Sequence, residues 1–195
     1  MTFRFDPERH EYWLDDRLLP SVTQIIEPLY DWTHVKPAHL EYAGARGSAV
    51  HYGCELLDRG ALDWATVQTE LLGYIQAWQR YCRDVPVQWE FIEQKAYHPM
   101  LSYAGTLDRY GMVRGNPAVV DIKTSATMNP AIGVQLAGYR MLIANQNERS
   151  REIDRIAVQL LADGTYREHH YRERGDVSCF MGLLAMHNWR KKNGT

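Results

Sequence analysis

Polar and apolar residues alternate at the start of the chain, and apolar residues then recur at helical spacing. Alternation over residues 3–14, broken by a turn at residues 6–9, predicts a small β-hairpin. Ser21 precedes an apolar series at helical spacing, which predicts a helix with Ser21 as its N-cap. Two longer helices are predicted over residues 37–59 and 64–82, and we expect them to cover one side of a sheet.

The second half of the chain changes to extended segments, which predict a sheet. Strands are predicted over residues 87–97, 103–113, 118–124, 153–161 and 166–171, and helices over residues 130–145 and 176–192. This order of elements predicts an α/β (α+β) fold with a central mixed β-sheet flanked by helices on both faces. The sequence has no internal repeat and no linker, so we expect residues 1–195 to form a single domain.

The charge balance and the cysteines argue against several classes of protein. The 22 Lys and Arg residues against 24 Asp and Glu residues give a net charge of -2, which disfavours coating of nucleic acid by bulk attraction. Cys54, Cys82 and Cys179 have no paired spacing, which disfavours a disulfide framework, a zinc knuckle or an iron–sulfur cluster. The apolar runs are too short for a membrane span and no signal peptide is visible, so we expect a soluble, cytoplasmic protein without membrane partners.

Two carboxylates and a lysine stand out in the predicted second and third strands of the sheet. A tight turn centred on residues 115–116 would place residue 114 opposite residue 117, and therefore Asp108 opposite Lys123. Directly opposed residues share a face of the sheet, as do residues two apart on one strand. We therefore expect Asp108, Asp121 and Lys123 on one face. The apolar residues beside them are expected on the other face: Leu107, Val120 and Ile122.

This group of side chains suits the hydrolysis of phosphodiesters. Carboxylates on adjacent strands can bind a hard cation such as Mg²⁺, and the backbone carbonyl of Ile122 offers another oxygen. Lys123 would orient the attacking water and stabilise developing negative charge. A surface ion pair would explain an isolated Asp-x-Lys triplet more simply, because such triplets are common.

Taken together, the motifs of the chain resemble the PD-(D/E)xK nuclease superfamily, in the branch of RecB-type and phage recombination exonucleases. The segments that carry the resemblance are, in chain order, PSVTQII at 20–26, RGSAVH at 46–51, EQ at 93–94, GTLD at 105–108, DIKT at 121–124 and QLAGY at 135–139. Each segment is weak alone, and their order over roughly residues 20–140 makes the resemblance specific. It implies a restriction-endonuclease-like core.

The resemblance also implies roles for individual residues. The implied catalytic group is Glu93, Asp108, Asp121 and Lys123. The implied metal shell is His51, Asp108, Asp121 and the carbonyl of Ile122. Without the resemblance, His51 would be an ordinary helical histidine and Glu93 a strand-edge charge. The implied cofactor is Mg²⁺ or Mn²⁺, and no iron–sulfur cluster is expected, because the four cysteines of cluster-containing members are absent.

Contacts to DNA follow from the same resemblance. Gln135 and Tyr139 are four residues apart and share a helix face, from which they would contact the DNA backbone. Arg46 and Arg109 are the expected cationic contacts near the metal. The alternatives are a partly buried amphipathic helix for the first pair and solvated surface charges for the arginines.

The activity that we expect is that of a metal-dependent deoxyribonuclease, acting as an exonuclease on linear or single-stranded DNA ends in phage-type recombination, repair or DNA processing. By analogy, an annealing protein or a helicase would be a partner, a homo-oligomer is conceivable, and a phage-encoded protein would act in the host cytoplasm. Two alternatives stay open. One is a catalytically silent module that binds nucleic acid or a partner protein, and the other is a hydrolase of small phosphoesters.

Overall fold

The structure is a computed structural model that describes residues 2–146 and 153–194. The strands are β1 (Phe3–Asp6), β2 (Glu11–Leu14), β3 (Arg17–Leu19), β4 (Val87–His98), β5 (Tyr103–Val113), β6 (Asn116–Lys123), β7 (Asp154–Leu160) and β8 (Tyr166–His170). The helices are α1 (Val22–Ile26), α2 (Pro37–Asp58), α3 (Thr69–Asp84), α4 (Ala131–Gln146) and α5 (Gly175–Asn193). Short 3₁₀ turns occupy Glu27–Leu29 and Trp64–Thr66.

The central sheet has five strands in the order β4-β5-β6-β7-β8. Strands β6 and β7 run parallel, and the other neighbours are antiparallel. Apolar residues of α1, α4 and α5 pack on one face, and those of α2 and α3 pack on the other. The predicted central mixed sheet with helices on both faces is therefore confirmed.

The N-terminal residues form a small sheet of their own. The predicted hairpin is present as β1 and β2, and a third strand, β3, pairs with β2. The short β3 follows a turn in which Asp15 has a φ of 51°, a conformation that the sequence did not signal with glycine. Within the described residues, no helix has the length and apolar character needed to cross a membrane.

The start of α1 joins this small sheet to the central one. Ser21 caps α1 as predicted, because its side chain accepts from the Gln24 amide while the Gln24 side chain accepts from the Ser21 amide. Ser21 also forms a parallel bridge with Ala104 of β5. The amide of Ala104 donates to the Pro20 carbonyl at 2.9 Å. These bonds hold the N-terminal sheet beside the central strand β5.

The turn between β5 and β6 differs from the prediction. Its central residues are Arg114 and Gly115, with φ values of 50° and 80°, so that Val113 pairs with Asn116. A two-residue turn of this type needs two positive φ angles, and glycine suits the second position. The register is therefore shifted by two residues from the expected one, and Asp108 does not lie opposite Lys123. An even shift does not by itself move paired side chains to the other face, but the pairing ends at Arg109 and Val120.

Candidate active site

The candidate site lies where β5 and β6 separate. The last paired residues of the two strands are Arg109 and Val120. Beyond them, the Asp108 carboxylate accepts a hydrogen bond of 2.6 Å from the backbone amide of Ile122. Where the two strands separate, the Ile122 amide has no backbone acceptor on β5. The Asp108 carboxylate supplies the hydrogen bond that this buried amide would otherwise lack.

The separation of the strands also changes the direction of β5. Leu107 packs in the core formed by α1, α4 and α5, whereas Val120 and Ile122 pack against α2 and α3. The expectation that these three residues share a face is therefore wrong, because it assumed that the ladder continues past Arg109.

The separated strands open into a cleft of about 870 Å³. Seven of the predicted site residues line it: His51, Glu93, Asp108, Asp121, Lys123, Gln135 and Tyr139. The side chains come from α2, β4, β5, β6 and α4, so five elements meet at this point. Arg46 and Arg109, which were also predicted, are not part of the lining.

Three of these side chains form a group that suits a cation. The ligating atoms of His51, Glu93 and Asp108 lie within 4.8 Å of one another. His51 Nδ1 is 3.4 Å from Asp108 Oδ1, and its Nε2 is 3.0 Å from the carbonyl oxygen of Ile122. An imidazole nitrogen, two carboxylates and a carbonyl oxygen are all donors that divalent cations accept. The residues present therefore fit a divalent metal ion.

The charge of this group is balanced by His51. Burial lowers the pKa of His51, but attraction to Asp108 and a hydrogen bond with it outweigh burial and raise the pKa to about 9. Burial raises the pKa of Asp108, yet attraction to His51 outweighs it and lowers the pKa to about 2. Without metal, the site at neutral pH thus holds an imidazolium against a carboxylate. A ligating imidazole must be neutral, so a bound cation would displace this proton.

The pKa of Glu93 is also far from its ordinary value. Burial, followed by repulsion from Asp108, raises the pKa of Glu93 to about 7. Its backbone has a φ of 51°, which a non-glycine residue rarely adopts and which the surrounding contacts must hold in place.

Asp121, which is buried, and Lys123, which is half-buried, form a second charged pair. Lys123 Nζ lies 2.7 Å from Asp121 Oδ2 and donates to Gln135 Oε1 at 3.0 Å. Burial raises the pKa of Asp121 to about 6, although Lys123 opposes the rise. Burial lowers the pKa of Lys123, but Asp121 and Asp108 outweigh burial and raise it. Lys123 is therefore an ammonium group at neutral pH. Among the described residues, Asp121 lies outside the three-residue group, and its role as a metal ligand stays a prediction.

Gln135 and Tyr139 support Lys123 from α4. Both side chains are buried, and Gln135 Nε2 donates to the Tyr139 hydroxyl at 3.2 Å. Gly105 makes room for the ring, because a Cβ at this position would lie 2.9 Å from Tyr139 Cε1. The pair lines the inner end of the cleft instead of an outer surface, and its contact with DNA stays a prediction.

Arg109 is placed differently from what we expected. It is fully buried, and its Nε lies 2.6 Å from Asp58 Oδ2 while its Nη1 lies 3.1 Å from Glu93 Oε1. Trp78 donates its indole N–H to the same Asp58 carboxylate. A guanidinium enclosed in this way holds Glu93 in place and does not reach a phosphate at the surface. The expectation treated Arg109 as a surface charge, because the sequence does not show the buried carboxylate that pairs with it.

Arg46 lies beside the end of β6. Its Nη2 donates to the carbonyl oxygen of Thr124 at 3.3 Å, and its guanidinium lies 5.3 Å from the ring centroid of Tyr74. It therefore supports the backbone after Lys123, and its contact with DNA stays a prediction.

Two residues of the site were missed by the sequence analysis. Asp58 ends α2 and carries no motif, so nothing in the sequence pointed to it. Lys95 lines the cleft and donates to the backbone carbonyl of Glu93 at 3.0 Å. The triplet Glu93-x-Lys95 repeats the acid-x-lysine spacing of Asp121-x-Lys123, and this signal could have identified it.

The fold resembles that of one solved protein from Eubacterium rectale, which is named "Putative exonuclease". The match has a TM-score of 0.52 and covers 76% of this chain and 68% of that chain, at 10% sequence identity. Identity at this level shows a shared fold only. No protein-family profile and no curated protein matches the chain. The chain thus has a mixed α/β fold similar to that of the Eubacterium rectale protein.

Proposed function

We propose that this chain is a metal-dependent deoxyribonuclease that hydrolyses DNA phosphodiester bonds and acts as an exonuclease. The observation that carries the proposal is the donor group of His51, Glu93 and Asp108, which lies in one cleft with the ion pair of Asp121 and Lys123. The likeness of the fold to that of the Eubacterium rectale protein supports the same class of reaction.

The residues that would hold the cation, Mg²⁺ or Mn²⁺, are His51, Glu93 and Asp108. The carbonyl of Ile122 lies at the other ring nitrogen of His51, and its role as a ligand stays a prediction from the sequence. A cation bound there would supply a Lewis acid for the phosphate and a more acidic water molecule. Lys123, held by Asp121 and Gln135, would neutralise negative charge on the phosphate. Because the pKa of Lys123 is raised, the side chain donates hydrogen bonds and does not take up a proton.

Further parts of the proposal come from the sequence alone. The resemblance suggests a role in phage-type recombination or DNA repair and a partner that is an annealing protein or a helicase. The expectations of one domain over residues 1–195 and of a cytoplasmic location come from the patterns of the sequence itself.

The proposal is tested by cleavage of end-labelled linear DNA and covalently closed circular DNA with Mg²⁺, Mn²⁺ or EDTA. The wild type should degrade only the linear DNA, and only with metal. Asp121→Asn should lower the rate by about 10²-fold or more, because Lys123 loses its charged partner. Asp16→Asn changes an exposed turn carboxylate and should leave the rate unchanged.

Two results would change the assignment. Cleavage of circles would make the protein an endonuclease. If neither substrate is cut with either metal, while the wild type and Asp121→Asn bind DNA equally, the protein is a binding module.

A further inference from the structure

The N-terminal sheet forms part of the wall of the cleft, and the proposed chemistry does not use it. Phe5, Pro7, His10 and Tyr12 from the β1–β2 hairpin line the cleft that also contains Asp108 and Asp121. A hairpin needed only to cover the core would not have to present side chains to this cleft.

The hairpin is fixed in position relative to the acidic residues. The Tyr12 hydroxyl lies 2.7 Å from Thr106 Oγ1, and Thr106 is two residues before Asp108 on β5. Thr106 pairs across the strands with Lys95, whose ammonium lies 5.5 Å from the ring centroid of Phe5. The hairpin, Lys95 and the candidate metal group therefore form one continuous surface.

The chemistry of this wall matches an unpaired nucleotide. Phe5 and His10 pack edge to face, with ring centroids 5.2 Å apart and an interplanar angle of 89°. His10 is exposed and Phe5 is half-buried, so both can present ring surface to the cleft. Partial burial of the His10 ring, and then the charge of Lys95, lower the pKa of His10, which keeps the ring neutral at pH 7. Aromatic rings next to a cation bind single strands by stacking on bases while the cation pairs with phosphate.

We propose that the β1–β2 hairpin and Lys95 form a binding subsite for single-stranded DNA, in which Phe5 and His10 contact a base and Lys95 pairs with a phosphate. This inference rests on the proposed nuclease function and specifies its substrate. Bases in a duplex are stacked on their neighbours, so their faces reach the two rings only when a strand is unpaired. The subsite thus favours single strands over blunt duplex.

The test measures binding of a fluorescent 12-mer of thymidine by anisotropy in EDTA, so that cleavage does not consume the probe. Phe5→Leu and His10→Ala should each weaken binding about fivefold or more, and should weaken binding of a blunt duplex less. Phe3→Leu is the matched control, because Phe3 lies on the same strand and packs on Tyr97 outside the cleft.

Lys95 is tested through the salt dependence of binding. Lys95→Gln should reduce the slope of log affinity against log salt by about 0.7, the value for one phosphate contact to a single strand, and Lys95→Arg should restore it. If Lys95 had only a structural role, Lys95→Gln would not reduce the slope by the value for one phosphate contact.

The outcomes separate the two proposals. If the wild type binds the 12-mer and cuts linear DNA, while the Phe5, His10 and Lys95 variants bind like Phe3→Leu, the subsite is overturned and the nuclease proposal stands. If the wild type neither binds nor cuts DNA, both fail.

Discussion

His51 occupies the point at which two carboxylates and a backbone carbonyl converge. Its Nδ1 lies near Asp108 and Glu93 and its Nε2 lies near Ile122, so both ring nitrogens face oxygen atoms. An imidazolium donates on both sides of the ring without a metal, whereas a cation bound beside Nδ1 would replace only the proton that lies between the ring and the two carboxylates. At the residue scale, a proton on Nδ1 and a bound cation would therefore compete for the same two carboxylates.

This competition predicts how the stability of the metal-free protein depends on pH. The pKa of His51 is about 9 in the folded protein, against an ordinary histidine pKa of 6.5 in the unfolded chain. The stabilisation is therefore complete below pH 6.5 and is lost as the pH rises through 9. In EDTA, the free energy of unfolding should fall by on the order of 2 kcal/mol between pH 7 and 9. Urea unfolding at a series of pH values measures this change in the free energy of unfolding. His51→Gln should flatten this part of the profile, and an unchanged slope in that variant would contradict the assignment.

At the scale of the elements, one buried arginine ties α2, β4 and β5 together. Arg109 on β5 contacts Asp58 at the end of α2 and Glu93 on β4, and it donates to the carbonyl of Asp108 at 2.6 Å. Glu93 has a positive φ, so this contact also offsets local backbone strain. The geometry of the candidate metal group thus depends on an arginine that is not itself one of its members.

Removing this arginine should destabilise the protein strongly. Arg109→Met leaves the Asp58 carboxylate buried without its cation, and we expect a loss of about 3–5 kcal/mol in the free energy of unfolding. Arg59→Met is the matched control, since the Arg59 side chain is half exposed where it pairs with Glu55 at the end of α2, and its loss should cost less than about 1 kcal/mol. Urea unfolding of both variants tests this, and equal losses would show that the buried pair is not structural.

The sequence predicted most of the helices and strands, but not the register of β5 and β6 or the buried ion pair. Repeating patterns located the elements, and the pattern before α1 identified Ser21 as its cap. The predicted register of β5 and β6 differs from the observed one by two residues. Arg114 adopts a left-handed backbone conformation, which an arginine in the sequence does not indicate. Asp58 was missed and Arg109 was expected at the surface for a related reason: a buried ion pair between distant segments leaves no local signal in the sequence.

At the scale of the whole molecule, the arrangement of the helices and strands brings the residues of the site together. Each face of the central sheet is covered by helices, and the two strands that carry Asp108 and Asp121 separate at one end of their ladder. Helix α2 brings His51 and β4 brings Glu93 to the opening, while the N-terminal sheet closes one side. The spacing of apolar residues predicted the two neighbouring strands, and the sequence motifs placed Asp108 on one of them and Asp121 on the other. The two predictions agree, because these carboxylates can share a site only if the strands are neighbours.

The central claim is that His51, Glu93 and Asp108 bind the cation on which DNA cleavage depends. The most direct measurement is the rate of cleavage of linear DNA as a function of Mg²⁺ concentration in Glu93→Gln and in Glu90→Gln, which changes an exposed acid on the same strand. We expect Glu93→Gln to raise the Mg²⁺ concentration for half-maximal rate by about 10-fold or more, and Glu90→Gln to match the wild type. The same Mg²⁺ dependence in both variants would contradict the account.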